Sequence, residues 1–303
     1  MIVDSPDKET ARLRRVFERN AALHYIDNRV FIRKLSEQAA LFAIGAALLL
    51  LPLFHGIWIA RLAGLSCLGV TYARNLELMH ECLHGTALRS RRMNRVIGTL
   101  LGLPMFVSFT EWRSSHAQHH RDVRLEGFQY RLERLRGMRE LLLHLTMARH
   151  FGVALANMLE SLVRNPKRLD SAIAGSVRRE HLMMLALSIG VLTAAFAGNV
   201  SPLLLWFASL PIAVLVHVHI ELPEHLECDT DSRNALHNAR IIRAGRFAAW
   251  FTNNNHLHAV HHWLASVPIA NLPQLANAVQ AHTLHVEESY PAFFRRFYQR
   301  VFR

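Results

Sequence analysis

The sequence predicts an all-α integral membrane protein, with four transmembrane helices in two hairpins and a cytoplasmic helical cap. Three observations lead there. The 303-residue chain is 51% hydrophobic with a mean hydropathy of +0.12, yet carries 35 Lys and Arg against 23 Asp and Glu, a formal net charge of +12. A chain both apolar and basic must segregate the two properties, and here the apolar residues gather in four runs. The third observation is 20 His, more than the 14 Gly or 10 Pro, several of them in tight clusters. This composition excludes a disordered tail, a collagen-like fibre and a disulfide scaffold. The three Cys (Cys67, Cys82 and Cys228) show no CxxC spacing, so no disulfide framework or zinc knuckle is indicated.

The first run, Ala39 to Phe54, is uncharged. The second, Gly56 to Ala73, is broken only by Arg61; the third covers Leu182 to Gly198 and the fourth Pro202 to Ile220. Each falls slightly short of the ~20 residues of a membrane span, and flanking residues can extend each helix. Tight polar breaks, His55-Gly56 and Asn199-Val200-Ser201, join the runs in pairs. Each pair therefore reads as a helical hairpin that enters and leaves on one side. The charge supports this: positions 1–38 hold 8 Lys and Arg, positions 86–181 hold 17 and positions 221–303 hold 8, which is 33 of 35 on the side shared by both termini. The positive-inside rule makes that side cytoplasmic. Trp58 and Trp206 lie near the expected outer ends, where interfacial Trp is common. The alternative is a soluble bundle of four buried helices, for which uncharged runs of 16 to 19 residues are long.

The first 36 residues are mixed in charge and lack the apolar core of a cleavable signal, so the first run reads as a retained span. Residues 131–164 space their apolar positions at a helical period, with Arg and Glu opposite. Such a helix suits the membrane interface or packing on the cytoplasmic cap.

The histidine clusters carry the chemistry. His80 and His84 stand four apart after the second run, on one helical face. His116, His119 and His120 form an HxxHH cluster, and His258, His261 and His262 form another. Composition alone predicts about 0.09 such HxxHH patterns in this chain, and it contains two. Adjacent histidines on a helix are splayed by about 100°, so each such pair can serve two metals or two edges of one site. Eight imidazoles exceed the needs of one ion, which indicates a dinuclear centre. All-nitrogen ligation suits iron, copper, zinc or nickel equally. Glu81, Glu111, Asp122 and Glu224 are placed to orient the rings from an outer position.

These residues resemble the three-histidine-box di-iron enzymes of the membrane-bound fatty acid desaturase superfamily, bacterial type. Trp112-Arg113-Ser114-Ser115-His116-Ala117-Gln118-His119-His120 is similar to the family's W-R-x-x-H-x-x-H-H. Asn254 through His262, with Val267-Pro268 and Leu272-Pro273 behind it, resembles the bacterial third box and its ending. Glu224-His225 followed by Asn238-Ala239-Arg240 resembles the family's E-H…N-x-R segment and implies His225 as a ninth ligand, with His217 and His219 as competitors. Two departures stand out: His256 replaces an Asn, and Ala265 replaces a Pro. The resemblance leaves Asn254 and His256 as further outer-position candidates. It covers residues 38–275 as a core within a single domain over 1–303, with 1–37 an N-terminal segment and 276–303 a C-terminal tail.

The resemblance implies two iron ions, O2 as co-substrate and electrons from an external carrier, acting on a fatty acyl chain held as lipid, coenzyme A or carrier-protein thioester. Desaturation is favoured by the E-H…N-x-R and third-box flanks. A fatty-chain or terpenoid hydroxylase of the same fold is the alternative. A metal-binding membrane protein without redox chemistry is a third reading, but a transporter should hold its ligands inside the spans. The basic cytoplasmic face, especially Arg89 to Arg95 and Arg131 to Arg149, suits an acidic ferredoxin with its reductase. Nucleic acid is not expected, since no aromatic-interleaved basic module is present. The expected location is the bacterial inner membrane with both termini cytoplasmic.

Overall fold

The computed structural model describes residues 8–123, 138–165 and 169–302, and these are mostly helical. In order they form α1 (Lys8–Glu18), α2 (Asn28–Leu50), α3 (Trp58–Leu83), α4 (Arg91–Gly102), α5 (Phe109–His119), α6 (Met138–Leu145), α7 (Ala148–Val163) and α8 (Ser171–Phe196). The chain continues through α9 (Ser201–Leu205), α10 (Leu210–Glu221), α11 (Ala235–Asn238), β1 (Arg240–Ile242), α12 (Arg246–Phe251), α13 (His258–Trp263), α14 (Pro273–Val279), β2 (His285–Glu287) and α15 (Tyr290–Val301). The all-α expectation needs one amendment: β1 and β2 pair in parallel, with Ile241 opposite Val286.

The central element is α3, packed on α2, α4 and α10. From Thr71 to Leu83 each of its residues is buried, so this half is enclosed on every face. Two glycines let α2 approach: a Cβ on Gly45 would lie 2.9 Å from the Leu68 side chain, and one on Gly64 would lie 2.8 Å from that of Leu49. Small residues at a crossing are how helices pack closely in lipid. Below this crossing the contact turns polar. Lys34 Nζ meets Glu81 Oε2 at 2.7 Å, Gln38 donates to Asn75 Oδ1 at 2.8 Å, and Arg74 donates to Gln38 Oε1 at 2.9 Å. Arg74 also donates to the Trp250 carbonyl and stacks over its ring at 4.2 Å, tying α3 to the segment that leads into α13.

Two helical rods among the described residues are long and apolar enough to cross a membrane, Ser171–Phe196 and Ser201–Glu221. These are the two arms of the second expected hairpin. In the first, α2 and α3 have the length, 23 and 26 residues. However, α2 carries Arg29, Arg33, Lys34 and Glu37 in its first half, and α3 carries Arg61, Arg74, Glu77 and Glu81.

In the middle segment α4 packs along the C-terminal part of α3, with Gly98 against Cys82 and Gly102 against Met79, and α5 packs on both helices. Trp206, expected at an outer interface, instead stacks on Phe106 at 5.5 Å and donates to the Pro104 carbonyl at 2.9 Å, anchoring the α4–α5 turn. The rod 201–221 bends at Trp206, between α9 and α10, which turns the indole inward. The amphipathic stretch also resolves into two uses. In α7, Ala154, Asn157, Met158 and Ser161 are buried, while Leu155, Leu159 and Leu162 stay exposed, so the helix both packs and offers an apolar face. The part of that stretch over 131–137, with Arg131, lies outside the described residues.

Candidate metal centre

Three elements and one loop bring nine imidazoles together. His80 and His84 end α3. The Ser108 hydroxyl caps α5 by accepting the Glu111 N–H, so α5 runs straight to His116 and His119, with His120 at its end. Asn253 and Asn254 then take left-handed backbone (φ 49° and 63°), a conformation Asn tolerates, and aim α13 with His258, His261 and His262 at the same point. His225 comes from the turn after α10.

The nine fall into two groups, His80, His84, His116, His120 and His261 in one, and His119, His225, His258 and His262 in the other. Within each group the candidate ligand atoms all lie within 4.8 Å of one another. Adjacent histidines part company: His119 and His120 serve different groups, as do His261 and His262. This is the splay that helical geometry gives neighbouring residues.

The donor set fits metal ions. In the first group, His80 and His116 bring their Nε2 atoms to 2.8 Å, His84 and His116 to 3.0 Å, and His120 and His261 to 3.2 Å. In the second, His119 and His225 stand at 3.0 Å, and His225 and His258 at 2.9 Å. Nitrogens about 2.1 Å from one ion and at right angles stand about 3.0 Å apart. The second pair also cannot be explained by a shared proton. His225 Nδ1 donates to the Asn238 carbonyl at 2.7 Å, so in the neutral ring Nε2 carries a lone pair. His258 Nδ1 faces Asn255 Oδ1 at 3.1 Å, which fixes the same tautomer. Two lone pairs at 2.9 Å suit a cation between them. Burial, reinforced by neighbouring imidazoles, pushes His84, His116, His258, His261 and His262 well below the ordinary imidazole range, which keeps them neutral and ready to ligate.

The outer positions are redistributed. Glu224 reaches the centre, with Oε2 3.4 Å from His258 Nε2. Glu81 turns instead to Lys34 and to Asn253 Nδ2. Glu111 faces His181 of α8 at 3.7 Å, and Asp122 sits in the turn after α5 with its N–H on the Gln118 carbonyl. Asn254 donates to the Ile269 carbonyl, away from the imidazoles. His256 stands outside both groups, and burial lowers it to about 4. Neither competitor for the ninth position joins a group: His217 Nε2 lies 3.1 Å from Glu221 Oε1, and His219 bonds the Tyr298 hydroxyl at 2.6 Å. Arg240 holds the His225 turn, donating to the Pro223 carbonyl at 2.9 Å while its backbone N–H meets the Glu224 carbonyl.

Sequence reasoning passed over Asn255, which both orients His258 and donates to Glu224 Oε1. A signal existed, since it stands three residues before His258. It also passed over Glu77 and Glu221, which line a small pocket with His80, His116, His119, His258 and Trp112, bordering both groups.

The described residues thus combine two long apolar rods with two imidazole groups that could hold metal ions. Residues 56–296 match the family described as Fatty acid desaturase, 241 of the 303 residues. The chain belongs to the fatty acid desaturase family, and is thus an oxidoreductase of the desaturase and hydroxylase type that modifies fatty acids. A comparison with curated proteins gives no match.

Proposed function

We propose that the chain is an O2-dependent desaturase that introduces a double bond into a fatty acyl chain at a centre of two iron ions. The observation that carries this reading is the division of nine imidazoles, six buried and three half-buried, into two adjoining groups that share α5 and α13. His80, His84, His116, His120 and His261 would hold one ion, and His119, His225, His258 and His262 the other. The ions with O2 would supply the oxidising power to break an unactivated C–H bond. The chain's own task is positioning. Burial holds the rings neutral, Asn238 and Asn255 hold His225 and His258 with Nε2 inward, and Trp112 lies against His80 with ring planes 24° apart.

In this reading α2, α3, α8 and the rod 201–221 are four spans in a bacterial inner membrane, with both termini cytoplasmic. Support comes from the two apolar rods and from the 33 of 35 basic residues on one side. Arg89, Arg91, Arg92 and Arg95 would steer an acidic carrier such as ferredoxin, which delivers electrons from its reductase. The test is expression in a heterologous membrane with ferredoxin and reductase, followed by mass spectrometry of total lipids. Desaturation removes about 2 mass units and hydroxylation adds about 16. Loss of the new species in His119→Ala is expected, and persistence there would place the chemistry elsewhere.

A further inference from the structure

The two imidazole groups are unequal, five donors against four. The side chain best placed to redress this is a carboxylate. Asn255 Nδ2 donates to Glu224 Oε1, which fixes the amide with Oδ1 toward His258 Nδ1 at 3.1 Å. That nitrogen must therefore carry the ring proton, and Nε2 presents a lone pair. Glu224 Oε2 lies 3.4 Å from this Nε2. An ionised carboxylate oxygen and a lone-pair nitrogen repel at that distance unless a cation lies between them. A protonated carboxyl donating to Nε2 would close to about 2.5–3.0 Å, so the contact is too long for that alternative.

Charge makes the same demand. Divalent ions ringed by neutral imidazoles leave buried positive charge uncompensated, which is costly without an anion close by. Three carboxylates line the pocket beside both groups: Glu77, Glu221 and Glu224. Glu221 Oε1 is engaged by His217 at 3.1 Å, and Glu77 Oε1 lies 3.8 Å from the same ring. Glu224 Oε2 approaches a grouped imidazole, and Glu224 precedes His225 in the chain, so the Arg240 clamp on that turn holds both together.

We propose that Glu224 is a direct oxygen ligand of the ion held by His119, His225, His258 and His262. This rests on the reading that the histidine groups hold metal ions. The centre then has one ion with five nitrogens and one with four nitrogens and an oxygen. The experiment uses the full chain in detergent, loaded anaerobically with ⁵⁷Fe(II), and reads iron per chain, the Mössbauer spectrum and the metal-loaded minus metal-free infrared spectrum. The wild type should show two distinct iron doublets and a carboxylate stretch displaced by iron. In Glu224→Gln one doublet should stay unchanged, the other should shift or vanish, and the infrared displacement should disappear. Two unchanged doublets in Glu224→Gln would overturn the assignment. Should that variant not accumulate, the wild-type infrared spectrum decides, and no carboxylate displacement on loading overturns it. A wild type that takes up no iron would instead remove the histidine reading beneath it.

Discussion

The five-histidine and four-histidine groups are built differently, although both draw on α5 and α13. The first rests on the buried C-terminal half of α3, where His80 and His84 ride on a rigid helix locked to α2 by the Lys34–Glu81 pair. The second has no such helix. Its distinguishing ligand, His225, sits on a turn held by the Asn238 carbonyl and by Arg240, and Arg240 in turn leans on Glu287 and the Phe293 ring from the C-terminal region. His80 and His84 are thus held on one buried helix and His225 by contacts from the C-terminal region, while α13 supplies ligand candidates to both groups.

The sharpest test separates neighbours in sequence. His119→Ala should deprive the four-histidine group of a ligand and His120→Ala the five-histidine group. Each should abolish product formation, while iron titration with Mössbauer detection finds a different doublet lost in each. Identical iron signatures would mean that the two groups act as one site. The next largest effect is on stability. Lys34→Met leaves Glu81 buried without its cation at 2.7 Å, which costs about 3–5 kcal/mol, read as a fall in denaturant midpoint in detergent. The five-histidine doublet should broaden first, because Glu81 is on the helix that carries His80 and His84.

What was legible in the sequence follows the same division. The i, i+4 and HxxHH spacings identify eight imidazoles because a single helix fixes their relative directions. His225 has no such partner nearby, and it emerged only through the resemblance of Glu224-His225 and Asn238-Ala239-Arg240 to a family segment. The outer residues were hardest to see. Glu81 follows His80 directly, yet a helix turns it away toward Lys34, whereas Asn255, which stands between the two candidates the resemblance offered, Asn254 and His256, meets His258. The packing of α4 along α3 was hidden for another reason: α4 mixes Arg91, Arg92 and Arg95 with buried Gly98 and Leu101, and no charge count shows which neighbour such a helix packs on.

Smaller changes probe the support of each group. Arg240→Met removes the clamp on the His225 turn while keeping most of the apolar bulk against Phe293. Outer-position losses of this kind weaken metal affinity about 10–100-fold, and here the weakening should fall on the four-histidine ion alone. Competition with a calibrated chelator measures it. Equal weakening of both ions would show that the turn supports the whole centre.

The smallest effect concerns what the groups share. His150 of α7 lies 2.9 Å from the Met105 carbonyl through Nε2, bracing the turn that leads into α5, and burial lowers its pKa from 6.5 to about 4. Its folded form binds a proton less readily than the unfolded chain. The stability tied to it is therefore complete above pH 6.5 and declines as pH falls toward 4, by about 1 kcal/mol per pH unit after allowance for its partial exposure. His150→Gln keeps a donor for Met105 but does not titrate. The gap between variant and wild-type unfolding free energies should shift in favour of the variant as pH falls from 7 to 5. Since α5 supplies both groups, the two iron occupancies should change together. A selective loss from one group would show that α5 is not the rigid common element its packing indicates.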